Sequence, residues 1–300
     1  MKKCPADQVS VNVQAALFFI VIATRQLLHP GLLLRLYLLS VATMTLWGCQ
    51  GNTRDDFARL SEAMQASRIT TPYHQHLVLS QPSPDSSTRI HVYIEGDGRP
   101  WIKRYLIAKD PTPRAPLTLA LMRQDPQPAI FLGRPCYFND PFYGLADSHC
   151  ESRLWTNARY SETVIASMVD ALRQWLATQD YSQVTLIGYS GGGTIATLMA
   201  QRMPEVTRLV TIAANLDVDA WTRHHHYSPL SGSLNPAELT NTRPRVQYHF
   251  FGSKDQVVPP LLARDWLQAQ GHPPRVIEGF DHRCCWQQQW PALLELIGAR

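Results

Sequence analysis

The sequence predicts an α/β protein: a doubly wound, mainly parallel sheet with a small cap insertion. Three observations predict it. Short β-rich runs alternate with helical stretches from about residue 89 onward, and strands separated by helices pair in parallel through right-handed crossovers. A Gly-x-Ser-x-Gly turn at 188–192 sits between an apolar run and a helical stretch. A chain of 300 residues with 45% apolar content can build one large core.

The elements follow in order. RIHVYIE at 89–95 is a short strand ending at Gly96-Asp97-Gly98, and AIFLG at 129–133 is another, ending in a Pro/Gly loop. Residues 161–179 place Val164, Ile165, Met168, Val169, Leu172, Trp175 and Leu176 at helical spacing, with Ser161 as N-cap. QVTLIG at 183–188 is a buried strand, followed by a helix over 191–203. TRLVTIA at 207–213, RVQYHFFG at 245–252 and PRVIE at 274–278 are the later strands, and a helix begins near Trp286. The Pro-rich stretches 81–84 and 111–128 read as surface connections within one domain.

Gly188-Tyr189-Ser190-Gly191-Gly192 carries the strongest chemical signal. A turn that sharp needs flanking positions without bulk, and glycines meet the need. It holds the serine hydroxyl exposed at a strand's end. The Gly191 N–H then faces any negative charge developing beside Ser190, and the helix N-terminus adds favourable field. A phosphate-binding turn is a poor alternative, because no G-x-x-x-x-G-K-[ST] pattern is present.

A serine hydroxyl needs a base, and the base needs a carboxylate to fix its tautomer. Phe251-Gly252-Ser253-Lys254-Asp255-Gln256-Val257-Val258-Pro259 offers the acid directly after a strand, and Phe280-Asp281-His282 offers the imidazole after the last one. The order Ser, acid, His, with G-x-x-D-x-V-V-P around the acid, resembles the α/β-hydrolase superfamily over roughly residues 70–300. The resemblance implies nucleophile Ser190, acid Asp255 and base His282. Asp217 and Asp219, after the preceding strand, are the rival acids; Asp281 adjoins the histidine and cannot easily reach its far ring nitrogen. Glu95-Gly96-Asp97-Gly98 stands where that superfamily carries His-Gly-x-Gly, which implies an oxyanion hole of the Gly191 and Asp97 N–H groups, with Gly98 as alternative. The two carboxylates depart from the pattern, since a negative side chain opposes an oxyanion unless it points away.

Residues 214–244 form the longest insertion and carry Trp221, His224, His225, His226 and Tyr227, a small cap over the acyl pocket. Three adjacent histidines point in different directions, so no metal site is expected. The reaction implied is hydrolysis of a small-molecule carboxylic ester through acyl-Ser190, with no cofactor. A serine peptidase or amidase on the same fold, and a non-catalytic envelope binding module, are the alternatives. YIEGDG, LGRPC and DHxCCW-like segments are similar to small exported bacterial lipoprotein hydrolases. The oligomeric state is not legible.

The N-terminus reads as an export signal over 1–48. Its apolar runs 15–24 and 36–47 are short of the roughly 20 residues that span a bilayer. Leu46-Trp47-Gly48-Cys49 resembles a bacterial lipobox, though Trp47 departs from it. Cys49 is then the lipidation site, and Gln50 after it implies the outer membrane, facing the periplasm. A start near Leu34 or Arg35 would explain the unused first run. Residues 49–70 read as a polar tether with some helix and 71–300 as the α/β-hydrolase domain.

Cys136, Cys150, Cys284 and Cys285 allow three full pairings. Cys136–Cys150 is preferred, since it closes a short Pro/Gly/Asp-rich loop for roughly 3 kcal/mol in the chain-entropy model, in a compartment that permits it. The chain holds 28 basic and 24 acidic residues; segment 1–48 has four and one, leaving 24 and 23. With no basic stripe, a nucleic-acid partner is not expected.

Overall fold

The computed structural model describes residues 53–81, 87–103, 105–139 and 147–298. The expected signal segment and Cys49 lie outside them. The described chain contains ten strands: β1 (Gln65–Thr70), β2 (Gln75–Ser80), β3 (Arg89–Ile94), β4 (Trp101–Ile102), β5 (Leu106–Ile107), β6 (Ala129–Leu132), β7 (Gln183–Tyr189), β8 (Val206–Ile212), β9 (Val246–Gly252) and β10 (Arg275–Ile277). The helices are α1 (Thr53–Ser61), α2 (Leu117–Met122), α3 (Glu162–Leu176), α4 (Gly191–Ala200), α5 (Val218–His224), α6 (Leu261–Ala269) and α7 (Trp286–Leu296).

Eight strands form one sheet in the order β1-β2-β6-β3-β7-β8-β9-β10; β4 and β5 form a separate hairpin. The six strands from β6 to β10 are parallel, as the βαβ alternation predicts, and β1 and β2 add an antiparallel edge. β7 lies at the centre, with Val184, Leu186 and Ile187 fully buried. α4, which leaves it, is buried along its whole length. α3 packs on α4, and α2 packs on α7 and α1, so helices flank the sheet in two groups.

Two expectations need correction. The tether over 49–70, expected to be polar with some helix, contains the helix α1 but does not end as a tether: β1 extends the sheet through six paired residues, Gln65↔Ser80 to Thr70↔Gln75. The folded unit therefore begins well before residue 71. β1 is polar and mostly exposed, so it carries no hydrophobic alternation to reveal it. Nor is 111–128 simply a surface connection. α2 buries Thr118, Leu119, Ala120, Leu121 and Met122 between prolines that mask so short a helix in the sequence.

Register decides what the parallel strands deliver. Ile94 pairs with Gly188, Tyr189 with Ile212, and Ile277 with Gly252. The chains leaving β3, β7, β9 and β10 therefore emerge at one edge of the sheet, where open α/β sheets bind ligands. Among the described residues, no helix is long and apolar enough to cross a membrane.

Some core positions are polar. His249 on β9 is buried, with Nδ1 against Thr211 Oγ1 at 2.8 Å and Nε2 against Gln247 Oε1 at 3.0 Å. Burial, with His272 nearby, lowers its pKa from 6.5 to about 3. The unfolded chain thus takes up a proton that the folded protein refuses between those values. Stability should fall as pH drops from 6.5, by about 1.4 kcal/mol per pH unit for this group, and level off below about 3. Urea unfolding of the parent and His249→Gln, compared across pH 7 to 4, checks this; parallel pH curves for the two proteins would refute it.

Candidate active site

Four strand exits build the site. The first is the turn after β7, where Ser190 has φ 51° and ψ −124°, a left-handed conformation that favours glycine. Two backbone hydrogen bonds hold it there: the Ser190 N–H donates to Ile212 O at 2.9 Å, and Gly193 N–H donates to Ser190 O at 2.9 Å. Bulk is excluded around it. A Cβ on Gly188 would stand 2.4 Å from Gly192 O, and one on Gly191 would stand 2.1 Å from Asp97 Oδ1. The sequence's glycine pattern is thus a packing requirement of this elbow.

The turns after β9 and β10 bring in the other two residues. His282 Nε2 lies 3.1 Å from Ser190 Oγ, and His282 Nδ1 lies 2.8 Å from Asp255 Oδ2. An ionised carboxylate only accepts, so Nδ1 carries the proton and Nε2 is left to accept from the serine hydroxyl. Asp255 is buried, and its Oδ1 accepts from the N–H groups of Val257 and Val258, both at 2.8 Å. The V-V after the acid thereby orients it. The structure thus brings Ser190, His282 and Asp255 together in one hydrogen-bonded line.

The rival acids are occupied elsewhere. Asp217 caps α5 by accepting from Ala220 N–H at 2.9 Å, and Asp219 Oδ2 accepts from Asn235 Nδ2 at 3.3 Å. Asp281 accepts from the N–H groups of Arg283 and Cys284, which shapes the turn that presents His282. That turn is fixed from behind, because His282 O accepts from Tyr189 OH at 3.0 Å and from Trp286 Nε1 at 3.1 Å. The x of Gly-x-Ser-x-Gly therefore supports the histidine as well as the elbow.

The exit from β3 lies against Ser190: a Cβ on Gly96 would stand 3.2 Å from Ser190 Cβ. Among the described residues, the Asp97 N–H donates to no protein atom. Gly191 is the first residue of α4, whose N–H has no acceptor within the helix. The Asp97 carboxylate is held in a clamp of long-range partners. Oδ1 accepts from Arg134 Nη1 at 2.6 Å; Oδ2 accepts from Arg159 Nη1 at 3.0 Å and Tyr160 OH at 2.6 Å. Its backbone oxygen accepts from Tyr137 OH at 3.0 Å. Burial opposes ionisation of Asp97, but Arg159 and Arg134 outweigh it and hold the carboxyl at about 2. Arg134 is itself 1% exposed and lies under the rings of Tyr137 and Tyr160.

Two guanidiniums against one carboxylate give the cluster a formal net positive charge, and the carboxylate is the part of it that stands against Gly191. The Asp97 side chain is therefore ion-paired, not left bare, beside the elbow. Sequence reasoning missed Arg134, Arg159 and the two tyrosines; the arginine inside LGRPC was the available signal. Glu95, the other acid of the turn, is buried, and burial raises its pKa. Its Oε2 accepts from the Thr118 N–H and hydroxyl, both at 2.8 Å, which fixes the start of α2.

The insertion at 214–244 forms α5 and a 3-10 turn, Pro236–Glu238. Trp221 Nε1 and His225 Nε2 donate to Val257 O at 2.7 and 2.8 Å, and His225 stacks on Tyr227. This segment therefore braces the acid-bearing turn. The preferred disulfide, Cys136–Cys150, is present with a Cα–Cα distance of 5.4 Å, and Cys284–Cys285 forms a second. Among the described residues, His74, Asp147, Cys136 and Cys150 place metal-ligand-type atoms within 4.8 Å of one another. The two sulfurs are joined in the disulfide, and His74 Nδ1 meets Asp147 Oδ2 at 2.9 Å.

A family model described as the alpha/beta hydrolase fold matches residues 146–236. Among solved structures, an esterase from Pyrococcus furiosus is similar at TM-score 0.59 and 13% identity, covering 80% of this chain and 91% of its own. The esterase domain of a Rhodothermus marinus protein gives 0.53 and 16%, covering 79% and 96%. An alpha-beta serine hydrolase homologue from Coxiella burnetii gives 0.51 and 15%, covering 78% and 95%. A search of curated proteins found no match. At these identities the structural likeness speaks to fold, and with the sheet order it is plain: the chain has the α/β-hydrolase fold.

Asp97 and its arginines provide a test of the clamp. Asp97→Asn leaves two buried guanidiniums without their counter-charge and should cost about 3–5 kcal/mol of stability. Arg134→Met should cost less, because the Asp97–Arg159 pair survives. Chemical denaturation of the three proteins decides; the reverse ranking would mean that the clamp does not hold this loop.

Proposed function

We propose that this protein is a serine hydrolase that cleaves small carboxylic esters through an acyl-Ser190 intermediate. The observation that carries the proposal is the unbroken line Ser190 Oγ, His282 Nε2, His282 Nδ1, Asp255 Oδ2, at 3.1 and 2.8 Å. His282 takes the serine proton as Oγ attacks the ester carbonyl, and passes it to the departing alkoxide. Water then enters, gives a proton to His282, and its oxygen attacks the acyl carbon; the proton returns to Ser190 as the acid leaves. Asp255 holds the imidazole's tautomer and offsets its positive charge in both halves. The N–H groups of Gly191 and Asp97 receive the oxyanion, supported by the α4 N-terminus. These steps need no cofactor.

Labelling by a fluorophosphonate probe tests the nucleophile, and p-nitrophenyl ester hydrolysis tests the reaction. The parent should label and turn over, and Ser190→Ala should do neither. His282→Ala should lose about 10⁴-fold or more in kcat, and Asp255→Asn about 10⁴-fold. A folded parent that neither labels nor hydrolyses would refute the proposal. Preferential cleavage of the matched anilide would move the reading to an amidase.

We further propose, from the sequence, that Cys49 is acylated and anchors the protein to the outer membrane, facing the periplasm. Incorporation of a fatty-acid label that Cys49→Ser abolishes is the expected result. A mature N-terminal peptide from residues 5–25 in mass spectrometry would rule out both the processing and a downstream start.

A further inference from the structure

The chain that leaves the Asp97 turn makes the β4–β5 hairpin before returning to the body. Its base is fixed. Arg99 N–H donates to Pro111 O at 2.8 Å, Ala108 N–H donates to Pro100 O at 2.9 Å, and Trp155 Nε1 donates to Ala108 O at 3.0 Å. Beyond that base, among the described residues, the hairpin is held by two residue pairs, Trp101↔Ile107 and Ile102↔Leu106, and by a turn bond from the Tyr105 N–H to Ile102 O at 3.4 Å. A ribbon this short has little stability of its own in water.

Its side chains are unusual for such a position. Trp101, Ile102, Leu106 and Ile107 are 42–53% exposed, and Tyr105 at the turn is 70% exposed. Successive residues of a strand point to opposite faces. Both faces of this ribbon are therefore apolar and both are open. A hairpin lying on the protein body, or covered by a flat partner surface, would bury one face and show polar residues on the other. Apolar residues on both faces suit a medium that surrounds the ribbon.

The remaining residues say which medium. Over 99–110 the sequence has four basic residues, Arg99, Lys103, Arg104 and Lys109, against one acid, Asp110. Aromatic, aliphatic and basic residues at close spacing match a membrane interface. Tryptophan and tyrosine settle at headgroup level, aliphatic side chains reach the acyl boundary, and long basic side chains keep their charge among the phosphates. Lys103 sits at the turn, so the contact is shallow.

We propose that the β4–β5 hairpin is a lipid-docking element that inserts at the interface of a bilayer bearing anionic headgroups. It is rooted in the turn that carries Asp97, so docking would bring the Ser190 edge of the sheet close to that surface. The proposal does not depend on hydrolysis, nor on acylation of Cys49.

Hydrogen–deuterium exchange on the full chain tests it, because the readout is local. The apolar runs upstream of Cys49 can hold lipid themselves, so bulk vesicle binding would not discriminate. Phosphatidylglycerol/phosphatidylethanolamine vesicles should slow exchange over 99–110 several-fold, and 0.5 M salt should weaken that protection. In the double variant Leu106→Asp, Ile107→Asp the protection should vanish while exchange in β7 and α4 stays as in the parent, which shows the fold intact. Unchanged exchange over 99–110 in the parent overturns the proposal. So does equal protection by pure phosphatidylcholine vesicles, or protection that appears without lipid as protein concentration rises, which would identify a second copy as the partner.

Discussion

Ser190 occupies a backbone conformation that a residue with a Cβ adopts at a cost of about 1–3 kcal/mol. Everything else at the site is arranged so that it has no alternative. β8 supplies Ile212 O to the Ser190 N–H, the start of α4 returns Gly193 N–H to Ser190 O, and the chain leaving β3 packs against the outside of the turn. These contacts come from β8, the start of α4 and the chain leaving β3, and the register of β3, β7 and β8 is set by a predominantly apolar core. The core thus fixes the register, the register crowds the elbow, and the crowding holds Ser190 in place. Rigidity of this kind lets a hydroxyl 3.1 Å from an imidazole stay aligned with it.

The same crowding raises an electrostatic problem on the β3 side, where the turn carries two carboxylates. The fold resolves them differently. Glu95 turns inward and is satisfied by Thr118, so burial favours its neutral form. Asp97 stays ionised because Arg134 and Arg159 reach it from loops 37 and 62 residues further along. A buried ion cluster is weak support for stability as such. Its value here is geometric: it fixes the turn's orientation beside Ser190.

What could be read from the sequence follows the range of the interactions. The Gly-x-Ser-x-Gly elbow, the Asp255 turn and the His282 turn are each local strand-exit patterns, and their order along the chain supplied the remaining constraint. The parallel strands announced themselves as apolar runs. β1 did not, because QASRIT is an exposed polar edge whose partner, not its composition, makes it a strand. α2 was hidden by flanking prolines. The Asp97 clamp was illegible for another reason: no spacing rule links Asp97 to Arg134, Arg159, Tyr137 and Tyr160, and only the folded sheet end places them together.

The segment from β3 to α2 shows how a single excursion can combine opposite mechanical demands. Its first residues are held fast, since Arg134, Arg159 and Tyr160 bond the Asp97 carboxylate and Tyr137 bonds its backbone oxygen. Its middle, the hairpin, is held by two residue pairs and a turn bond, and its apolar side chains stand half-exposed. The base between them carries the separation: the Arg99–Pro111 and Ala108–Pro100 bonds close the ribbon, and Trp155 pins its return strand to the body. Forces on the tip are therefore met at this base before they reach Asp97, which is held independently by its arginines. A segment constructed this way can have its tip moved against a surface without the Asp97 turn being displaced.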